Sequence, residues 1–336
     1  MSDDASRMTR WSWAFARGLG RVAFVATWLW MIGALWFCGV GPALLGPVLA
    51  IVIAIGFPVA WYRLPRRSVA ITFVAVLWAV LGLWSLKAPK VDADWAPDLA
   101  RTVSVKTVGD RLTLDDVRDC HYRTPEDFDV RYKTITVDLR TLRSLDFVVE
   151  RFHALDAMAH TLLTFGFEDG QHIAISAEIR RERDETFGPL RGMFKNYEVI
   201  YVVGTEEDLI GLRTNHRKSR VWLYPIRTTP DRMRKLFVAM LQRAETLADA
   251  PEFYHSITNT CTTNIVDHVT RLVPGRIPFS WRTLLPGYAG ELAFELALID
   301  TSLPFAEAER AFRIDDLAQE APIGEDFSAR IRARRP

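Results

Sequence analysis

The sequence predicts an α+β protein in which three membrane-spanning helices precede one domain built of antiparallel hairpins and helices. From Val22 to Tyr62 the chain has no Asp, Glu, Lys, Arg or His, and a second uncharged stretch runs from Ser68 to Leu86. Because a spanning helix needs about 20 apolar residues, these stretches accommodate three helices. After Lys87, short alternating segments are mixed with helical patterns, which favours an α+β domain over a parallel sheet.

The uncharged stretches define a membrane anchor over residues 22–86. We place its spans at residues 22–39, 43–62 and 69–86. The run Gly39-Val40-Gly41-Pro42 is typical of a tight turn between the first two spans. Pro47 and Pro58 predict a kink in the second span, which membrane helices tolerate because neighbouring helices can satisfy the freed carbonyl groups.

The distribution of arginine predicts the orientation of the anchor. Residues 1–21 contain four arginines, the loop between the second and third spans contains three more, and the first turn has no charge. Positively charged residues stay on the cytoplasmic side, so residues 1–21 are expected inside and the chain after Lys87 outside. The alternative is a cleaved signal peptide over residues 22–38, but this run is long for a signal sequence and further apolar segments follow it.

The chain beyond the anchor divides into a domain and a tail. Residues 90–300 are long enough for one extracytoplasmic domain with its own core. Residues 301–336 predict a C-terminal helix and a basic tail that ends in Arg330-Ile331-Arg332-Ala333-Arg334-Arg335. We expect this tail to be a solvated, disordered terminus, with attraction to anionic lipid headgroups as the alternative.

Composition excludes some function classes. The formal charge of +1 over 336 residues argues against a strongly basic nucleic-acid binder. The sequence contains no glycine-rich phosphate loop, CxxC pair or HExxH zinc helix. We therefore expect no nucleotide, metal or other cofactor. Of the three cysteines, Cys38 lies in the first span, and a disulfide between Cys120 and Cys261 or a pair of buried, inert thiols is the simplest role for the other two.

His160 and Cys261 are the two residues placed to carry chemistry. His160 opens an alternating run that is typical of a half-buried strand, and Cys261 lies immediately before an apolar helical pattern. A histidine on a strand facing a cysteine at a helix start is the arrangement of papain-like enzymes. The helix N-terminus and a nearby imidazolium can lower a thiol pKa from about 8.5 to about 3.5–7.5, which produces a nucleophilic thiolate.

Turn signals and periodicity place the other elements of the domain. Gly109-Asp110 predicts a hairpin turn, and Thr229-Pro230-Asp231 predicts the start of a helix that ends near Asp249. A shorter helix is expected over residues 262–272. Strands are expected at residues 102–108, 111–117, 134–139, 146–152, 197–203 and 221–225, and a long hairpin at 159–180.

The long hairpin predicts a partner for His160. If Glu168-Asp169-Gly170 is a three-residue loop with Gly170 in the left-handed conformation, the numbers of paired residues add up to 338. His160 then faces Glu178, which can hold one ring nitrogen while the other faces the thiol. The alternatives are that Glu178 belongs to a solvated charge run, or that His172 orients the imidazole.

Five segments resemble the Lnb N-terminal periplasmic domain family over about Asp92 to Leu298. The five segments follow one another along the chain in the same order as in the family, and a match of all five by chance is improbable. The segments are Asp94-Trp95-Ala96-Pro97-Asp98, Asp119-Cys120-His121-Tyr122-Arg123-Thr124, Ala159-His160-Thr161-Leu162-Leu163-Thr164-Phe165, Arg213-Thr214-Asn215-His216-Arg217 and Thr258-Asn259-Thr260-Cys261-Thr262-Thr263-Asn264-Ile265.

This resemblance implies a fold, a place and a reaction. The family includes a lipoprotein intramolecular transacylase and is similar to permuted papain-like (NlpC/P60-like) thiol enzymes, in which histidine precedes cysteine. It implies a periplasmic domain on the inner (cytoplasmic) membrane. It also implies a thioester mechanism in which Cys261 takes an acyl chain from an ester of a lipid or lipoprotein and His160 is the acid and base.

Other residues and other functions stay open at this point. Asn215, His216 and Arg217 are expected either to position substrate or to form a polar loop, and Asn259 is expected to position substrate beside the cysteine. The short tether between Lys87 and Asp94 favours a membrane-surface acyl group, because it holds the domain near the lipid. A thiol hydrolase of the same fold and a non-enzymatic, membrane-tethered interaction domain are the alternatives.

Overall fold

The computed structural model describes residues 2–39, 44–324 and 326–335. The chain forms two compact units, one made of Met1–Pro89 and Gly188–Asn196 and the other of Lys90–Phe187 and Tyr197–Pro336. The first unit contains the apolar helices, and the second contains the sheet and every candidate site residue. The α+β class predicted from the sequence is confirmed.

The first unit contains three helices that are long and apolar enough to cross a membrane. They are α1 (Ser2–Cys38), α2 (Leu45–Arg63) and α3 (Arg66–Leu86). In α1 the apolar segment is Phe15–Phe37. Because α1 begins at Ser2, it also includes most of the predicted cytoplasmic segment, residues 1–21. The predicted turn at residues 39–42 lies outside the described residues except for Gly39. Pro58 lies inside α2, as expected.

A short loop from residues 188–196 belongs to this helical unit. The ring of Phe194 stacks on Phe37, with 5.5 Å between centroids, and lies edge-on to Trp84. Lys195 Nζ donates hydrogen bonds to the carbonyl oxygens of Trp84 (2.9 Å) and Lys87 (3.2 Å). Carbonyl groups at a helix C-terminus have no partner within the helix, so Lys195 satisfies those at the end of α3.

The second unit is built on an eight-stranded mixed sheet. Its strands are β1 (Ser104–Val108), β2 (Arg111–Arg118), β5 (Tyr132–Asp138), β6 (Leu142–Arg151), β7 (Ala159–Phe167), β8 (His172–Arg180), β9 (Glu198–Thr205) and β10 (Arg220–Pro225), and β3 (His121–Tyr122) pairs with β4 (Phe128–Asp129) in a separate hairpin. The order in the main sheet is β1-β2-β9-β8-β7-β6-β10, with β5 on β2. The β2–β9 contact is parallel and the other pairs are antiparallel.

Helices cover both faces of this sheet. They are α4 (Glu206–Gly211), which continues as a π-helical turn over Leu212–His216, α5 (Pro230–Asp249), α6 (Cys261–Leu272), α7 (Trp281–Leu284), α8 (Ala289–Glu295), α9 (Phe305–Ala311), α10 (Asp315–Gln319) and α11 (Phe327–Arg330). Successive residues of a strand point to opposite faces. On β7, Leu163 packs with α5 and α6, whereas Leu162 packs with α4, α10 and α11. His160 therefore shares the face of Leu162.

Most predicted elements are confirmed, including the long hairpin and the α5 helix. Thr229 caps α5 by accepting a hydrogen bond from the Arg232 backbone N–H. The expectation of a solvated basic tail is wrong. Arg332 forms ion pairs with the buried carboxylates of Asp146 (3.0 Å) and Glu206. The tail is ordered because buried carboxylates on β6 and α4 require cationic partners.

Candidate active site

Cys261 is the first residue of α6 and is 7% exposed. The Thr260 and Thr263 side chains form a capping box: Thr260 Oγ1 accepts from the Thr263 N–H (3.2 Å), and Thr263 Oγ1 accepts from the Thr260 N–H (2.7 Å). This reciprocal capping fixes where the helix begins. The sulfur therefore lies at the positive end of a 12-residue helix, where an anion is stabilised.

Thr161 is the strand residue that adjoins the start of α6. Its backbone N–H and its side chain both favour the Cys261 thiolate and so lower the thiol pKa. Thr161 Oγ1 also lies 2.9 Å from Thr262 Oγ1, and Thr262 Oγ1 lies 3.8 Å from Cys261 Sγ. The start of α6 is thus attached to β7 beside His160.

The charges of the His160 imidazole and the Cys261 thiol act on each other, and each group shifts the pKa of the other. Burial raises the pKa of Cys261, but His160 and Thr161 together outweigh burial and lower this pKa to about 7. Burial lowers the pKa of His160, but the charges of Cys261 and Glu178 outweigh it, so the pKa is raised. The pair therefore favours thiolate and imidazolium near neutral pH.

The predicted register of the long hairpin is confirmed. Gly170 has a φ of +86°, and Phe165 pairs with Ile173. The backbone ladder runs from Leu163/Ile175 to Gly166/His172, so His160 and Glu178 lie three residues beyond its end. Their side chains still meet, with His160 Nε2 3.5 Å from Glu178 Oε1.

The hydroxyl of Ser176 bridges this histidine and this carboxylate. Ser176 Oγ lies 2.6 Å from His160 Nε2 and donates a hydrogen bond to Glu178 Oε1 at 2.9 Å. A hydroxyl has one proton, so Ser176 accepts its second hydrogen bond from the Nε2–H group. This arrangement places the proton on Nε2 and leaves Nδ1 as the nitrogen available to the thiol.

A buried chain of ion pairs extends from Glu178 away from the cysteine. Arg213, in the π-helical turn, is 2% exposed and donates to Glu178 Oε1 at 2.7 Å, and its Nε lies 2.9 Å from Glu150 Oε2. Arg217 lies 3.7 Å from the same Glu150 oxygen. Burial raises the pKa of Glu178, but His160 and Arg213 outweigh it and hold this pKa well below its usual range. Glu178 is therefore ionised at neutral pH.

The phenol of Tyr254 is a further polar group on which the charge of Cys261 acts. Burial raises the pKa of Tyr254, and the negative charges of Cys261 and Glu178 raise it further. The hydroxyl is therefore neutral at physiological pH and can donate a hydrogen bond. The sequence analysis did not predict Tyr254, because a single tyrosine outside any motif does not indicate a functional role.

The candidate active site lies in a segment that matches a known protein family. Residues 128–287 match the Lnb N-terminal periplasmic domain. This match confirms the resemblance found in the sequence motifs and includes His160, Glu178 and Cys261. Neither the curated proteins nor the solved structures gave a match. A segment that matches a periplasmic domain family and follows three apolar helices fits a membrane-anchored protein.

Within the matched segment, His172 lies away from His160. Its Nδ1 contacts the Gly170 carbonyl (3.0 Å), and it pairs with Gly166 at the turn end of the hairpin. The register that brings Glu178 to His160 places His172 at the opposite end of β8. Glu178 is therefore the residue that the fold places beside the imidazole.

Three of the four predicted substrate-positioning residues line two other cavities of the second unit. Asn215 and His216 line a cavity of about 700 Å³ that also contains Cys120, and Asn215 Nδ2 donates to the Ala318 carbonyl. Asn259 lines a polar cavity of about 320 Å³ and accepts a hydrogen bond from Asn264. Arg217 contacts Glu150, so it is the one that joins the ion-pair chain.

Cys120 and Cys261 are both free thiols. The backbone N–H of Cys120 donates to Asp208 Oδ2 at 2.8 Å. Burial, with a smaller contribution from the charge of Asp208, raises the pKa of Cys120 to about 12. The pKa of Cys120 therefore lies above that of an ordinary thiol, and the pKa of Cys261 lies below it. Cys120 is protonated where Cys261 is thiolate.

Sequence reasoning missed the residues that connect the site. Ser176 lies on the same face of β8 as Glu178, two residues away, and such diagonal positions are within reach of the neighbouring strand. Glu150 pairs directly with His160 across β6 and β7, so the register of these strands would have revealed it. Arg213 lies in one of the five motifs. Its contact with Glu178 depends on how α4 packs on the sheet, which local patterns do not indicate.

Proposed function

We propose that this protein is a membrane-anchored, cysteine-dependent acyltransferase with a thioester intermediate on Cys261. The observation that carries the proposal is the position of Cys261 at the capped N-terminus of α6, where His160 lowers the thiol pKa to about 7. A buried thiol without such partners resembles Cys120 and stays protonated. The order of histidine before cysteine, with the cysteine at a helix start, supports a permuted papain-like relationship.

In the first step the Cys261 thiolate attacks the carbonyl carbon of an acyl ester. A carbon–sulfur bond forms, and the tetrahedral oxyanion is stabilised by backbone N–H groups at the start of α6 and by the Tyr254 hydroxyl. The ester carbon–oxygen bond then breaks, and the leaving alcohol takes a proton from the His160 imidazolium. The products of this step are the acyl thioester, the free alcohol and a neutral imidazole.

In the second step an amine attacks the thioester carbonyl. His160 accepts the proton of the attacking nitrogen through Nδ1 while Nε2 keeps its proton, held by Ser176 and Glu178. A carbon–nitrogen bond forms, the carbon–sulfur bond breaks, and the thiolate is regenerated beside the imidazolium. Glu178 stays ionised throughout and orients the ring.

The substrate we propose is an acyl ester at the membrane surface, in a lipid or lipoprotein. The three apolar helices support attachment of the domain to a membrane, and the arginines of residues 1–21 and of the α2–α3 turn support a cytoplasmic N-terminus. The domain is then periplasmic and attached to the inner membrane. Asn215, His216, Arg217 and Asn259 remain candidates for positioning substrate.

Mass spectrometry of the digested protein tests this proposal. Full-length protein in nanodiscs of bacterial lipid is quenched in acid, and the Cys261 peptide is searched for acyl mass. We expect an acyl adduct on Cys261 in the wild type and no adduct in Cys261→Ala. Cys120 should carry no adduct in either protein. Cys120→Ala is the matched control and is expected to acylate normally.

The same experiment separates transfer from hydrolysis. Addition of an amine acceptor should discharge the adduct into an amide, whereas a thiol hydrolase releases free fatty acid without an acceptor. Wild-type protein that carries no acyl mass on Cys261 and consumes no ester would contradict both enzymatic mechanisms. In cells, full complementation of a deletion by Cys261→Ser would contradict the thiol mechanism.

A further inference from the structure

An apolar cavity lies beside the nucleophile in the Lnb domain. It has a volume of about 90 Å³, opens to the surface, and is lined by side chains from α6, α8 and the sheet. The lining includes Thr262, Ile265 and Val269 of α6, Phe147 and Leu163 of the sheet, and Ala293 of α8. The lining side chains are apolar except for the hydroxyls of Thr262 and Thr283.

Thr262 connects this cavity with the reactive sulfur. It lines the cavity, and its hydroxyl lies 3.8 Å from Cys261 Sγ. The cavity therefore begins one side chain away from the atom that would carry the acyl group. A group bonded to Sγ has its carbonyl carbon next to the sulfur, and the atoms that follow can pass Thr262 into the apolar space.

We propose that this cavity holds part of the aliphatic chain of the acyl group carried on Cys261. This inference rests on the proposed function and specifies its donor as an ester of an aliphatic acid. An apolar cavity of about 150 Å³ accommodates a benzene ring. A cavity of about 90 Å³ accommodates a short stretch of a single chain and excludes a ring or a branched polar peptide.

The segment between the lining residues Ile277 and Leu292 provides room for a longer chain. It exposes the apolar side chains of Phe279 (89% exposed) and Trp281 (53% exposed), and also those of Leu284 and Leu285. Adjacent exposed apolar side chains are a mark of a surface that meets lipid or another apolar partner. The part of the chain beyond the cavity would lie along this segment.

Chain-length dependence of Cys261 acylation tests the inference. Full-length protein in nanodiscs is mixed with nitrophenyl esters from acetyl to octanoyl, and nitrophenol release is corrected with Cys261→Ala. We expect the rate constant to rise about fourfold per added methylene, the equivalent of about 0.8 kcal/mol, and to level off once the cavity is full.

Two variants locate this dependence in the cavity. Ala293→Phe fills the space with a ring and should reduce the octanoyl-to-acetyl ratio at least tenfold. Ala306→Phe adds the same ring at an exposed position of α9 and should keep the wild-type ratio. If Ala293→Phe lacks a cooperative thermal transition, Leu296→Trp at another lining position replaces it.

The outcomes distinguish this inference from the proposed function. Equal rates for acetyl and octanoyl esters in the wild type, or equal ratios in Ala293→Phe and Ala306→Phe, would overturn the acyl-chain cavity alone. Absence of any acyl transfer to Cys261, even from the acetyl ester, would overturn the proposed function. A rising series that Ala293→Phe abolishes supports both.

Discussion

His160 and Glu178 lie on neighbouring strands with Nε2 and Oε1 3.5 Å apart, and the Ser176 hydroxyl is hydrogen-bonded to both. The carboxylate thus reaches the imidazole mainly through a bridging hydroxyl. Because Ser176 donates to Glu178, it can only accept from Nε2, and this fixes the tautomer. Ser176 and Glu178 therefore both orient the imidazole ring, and substitution of each should lower the rate separately.

Glu178→Gln should lower the rate of acyl transfer about ten- to hundredfold without abolishing it. The amide oxygen can still accept from Ser176, but a charge-assisted hydrogen bond worth about 1.5–3 kcal/mol is lost. The charge of Glu178 also raises the pKa of His160. The alkaline limb of the pH–rate profile should therefore move to lower pH. An unchanged alkaline limb would show that the carboxylate does not act on the imidazole.

Ser176→Ala should lower the rate by a smaller factor, about two- to thirteenfold. The variant removes one neutral hydrogen bond, worth about 0.5–1.5 kcal/mol, and leaves Glu178 within reach of Nε2. Ser176→Thr keeps the hydroxyl and should retain most of the rate. If Ser176→Ala is as slow as Glu178→Gln, the hydroxyl is essential for the coupling. If Ser176→Ala and Ser176→Thr are equally slow, packing rather than hydrogen bonding explains the loss.

Arg213→Met should destabilise the second unit by about 3–5 kcal/mol, because it leaves the buried carboxylate of Glu150 and the half-buried carboxylate of Glu178 without their main partner. For a domain of this size the melting temperature should fall by about 6–20 °C. Arg227→Ala, which breaks the exposed pair with Asp300, is the control and should cost about 0–1 kcal/mol. Equal effects of the two variants would contradict the buried ion-pair chain.

The pH dependence of this destabilisation has a definite sign. The folded-state pKa of Glu178 lies below its ordinary value of 4.5, so the stability it contributes is present above about pH 4.5 and is lost as the pH falls. The gap between wild type and Arg213→Met should therefore be largest at neutral pH and narrow on acidification. A gap that widens in acid would contradict an ionised Glu178 in the folded wild type.

The hairpin could be predicted because its turn and its pattern agree. Gly170 in the left-handed conformation fixes a three-residue loop, and the loop fixes which residues pair. The same argument brought Glu178 to His160 across 18 positions of the sequence. The three apolar helices were equally accessible, because an uncharged stretch of about 20 residues predicts a helix long enough to cross a membrane.

Long-range packing was less accessible to sequence reasoning. Arg213 meets Glu150 and Glu178 because α4 and its π-helical turn pack on one face of the sheet, which no local pattern specifies. A basic terminus is normally solvated, so the sequence predicts a solvated tail that includes Arg332. Its carboxylate partners, Asp146 and Glu206, lie on β6 and α4, far away in the sequence.

The pH dependence of Cys261 alkylation tests the central claim most directly. In full-length protein with Cys38→Ala and Cys120→Ala, the rate with iodoacetamide should be half-maximal near pH 7, where Cys261 titrates. His160→Ala removes the imidazolium and leaves burial, so the thiol pKa should rise to 9 or above. The rate at pH 7 should then fall about fiftyfold or more. A Cys261 that titrates above pH 8.5 in the wild type, or a rate unaffected by His160→Ala, would contradict a thiolate–imidazolium pair.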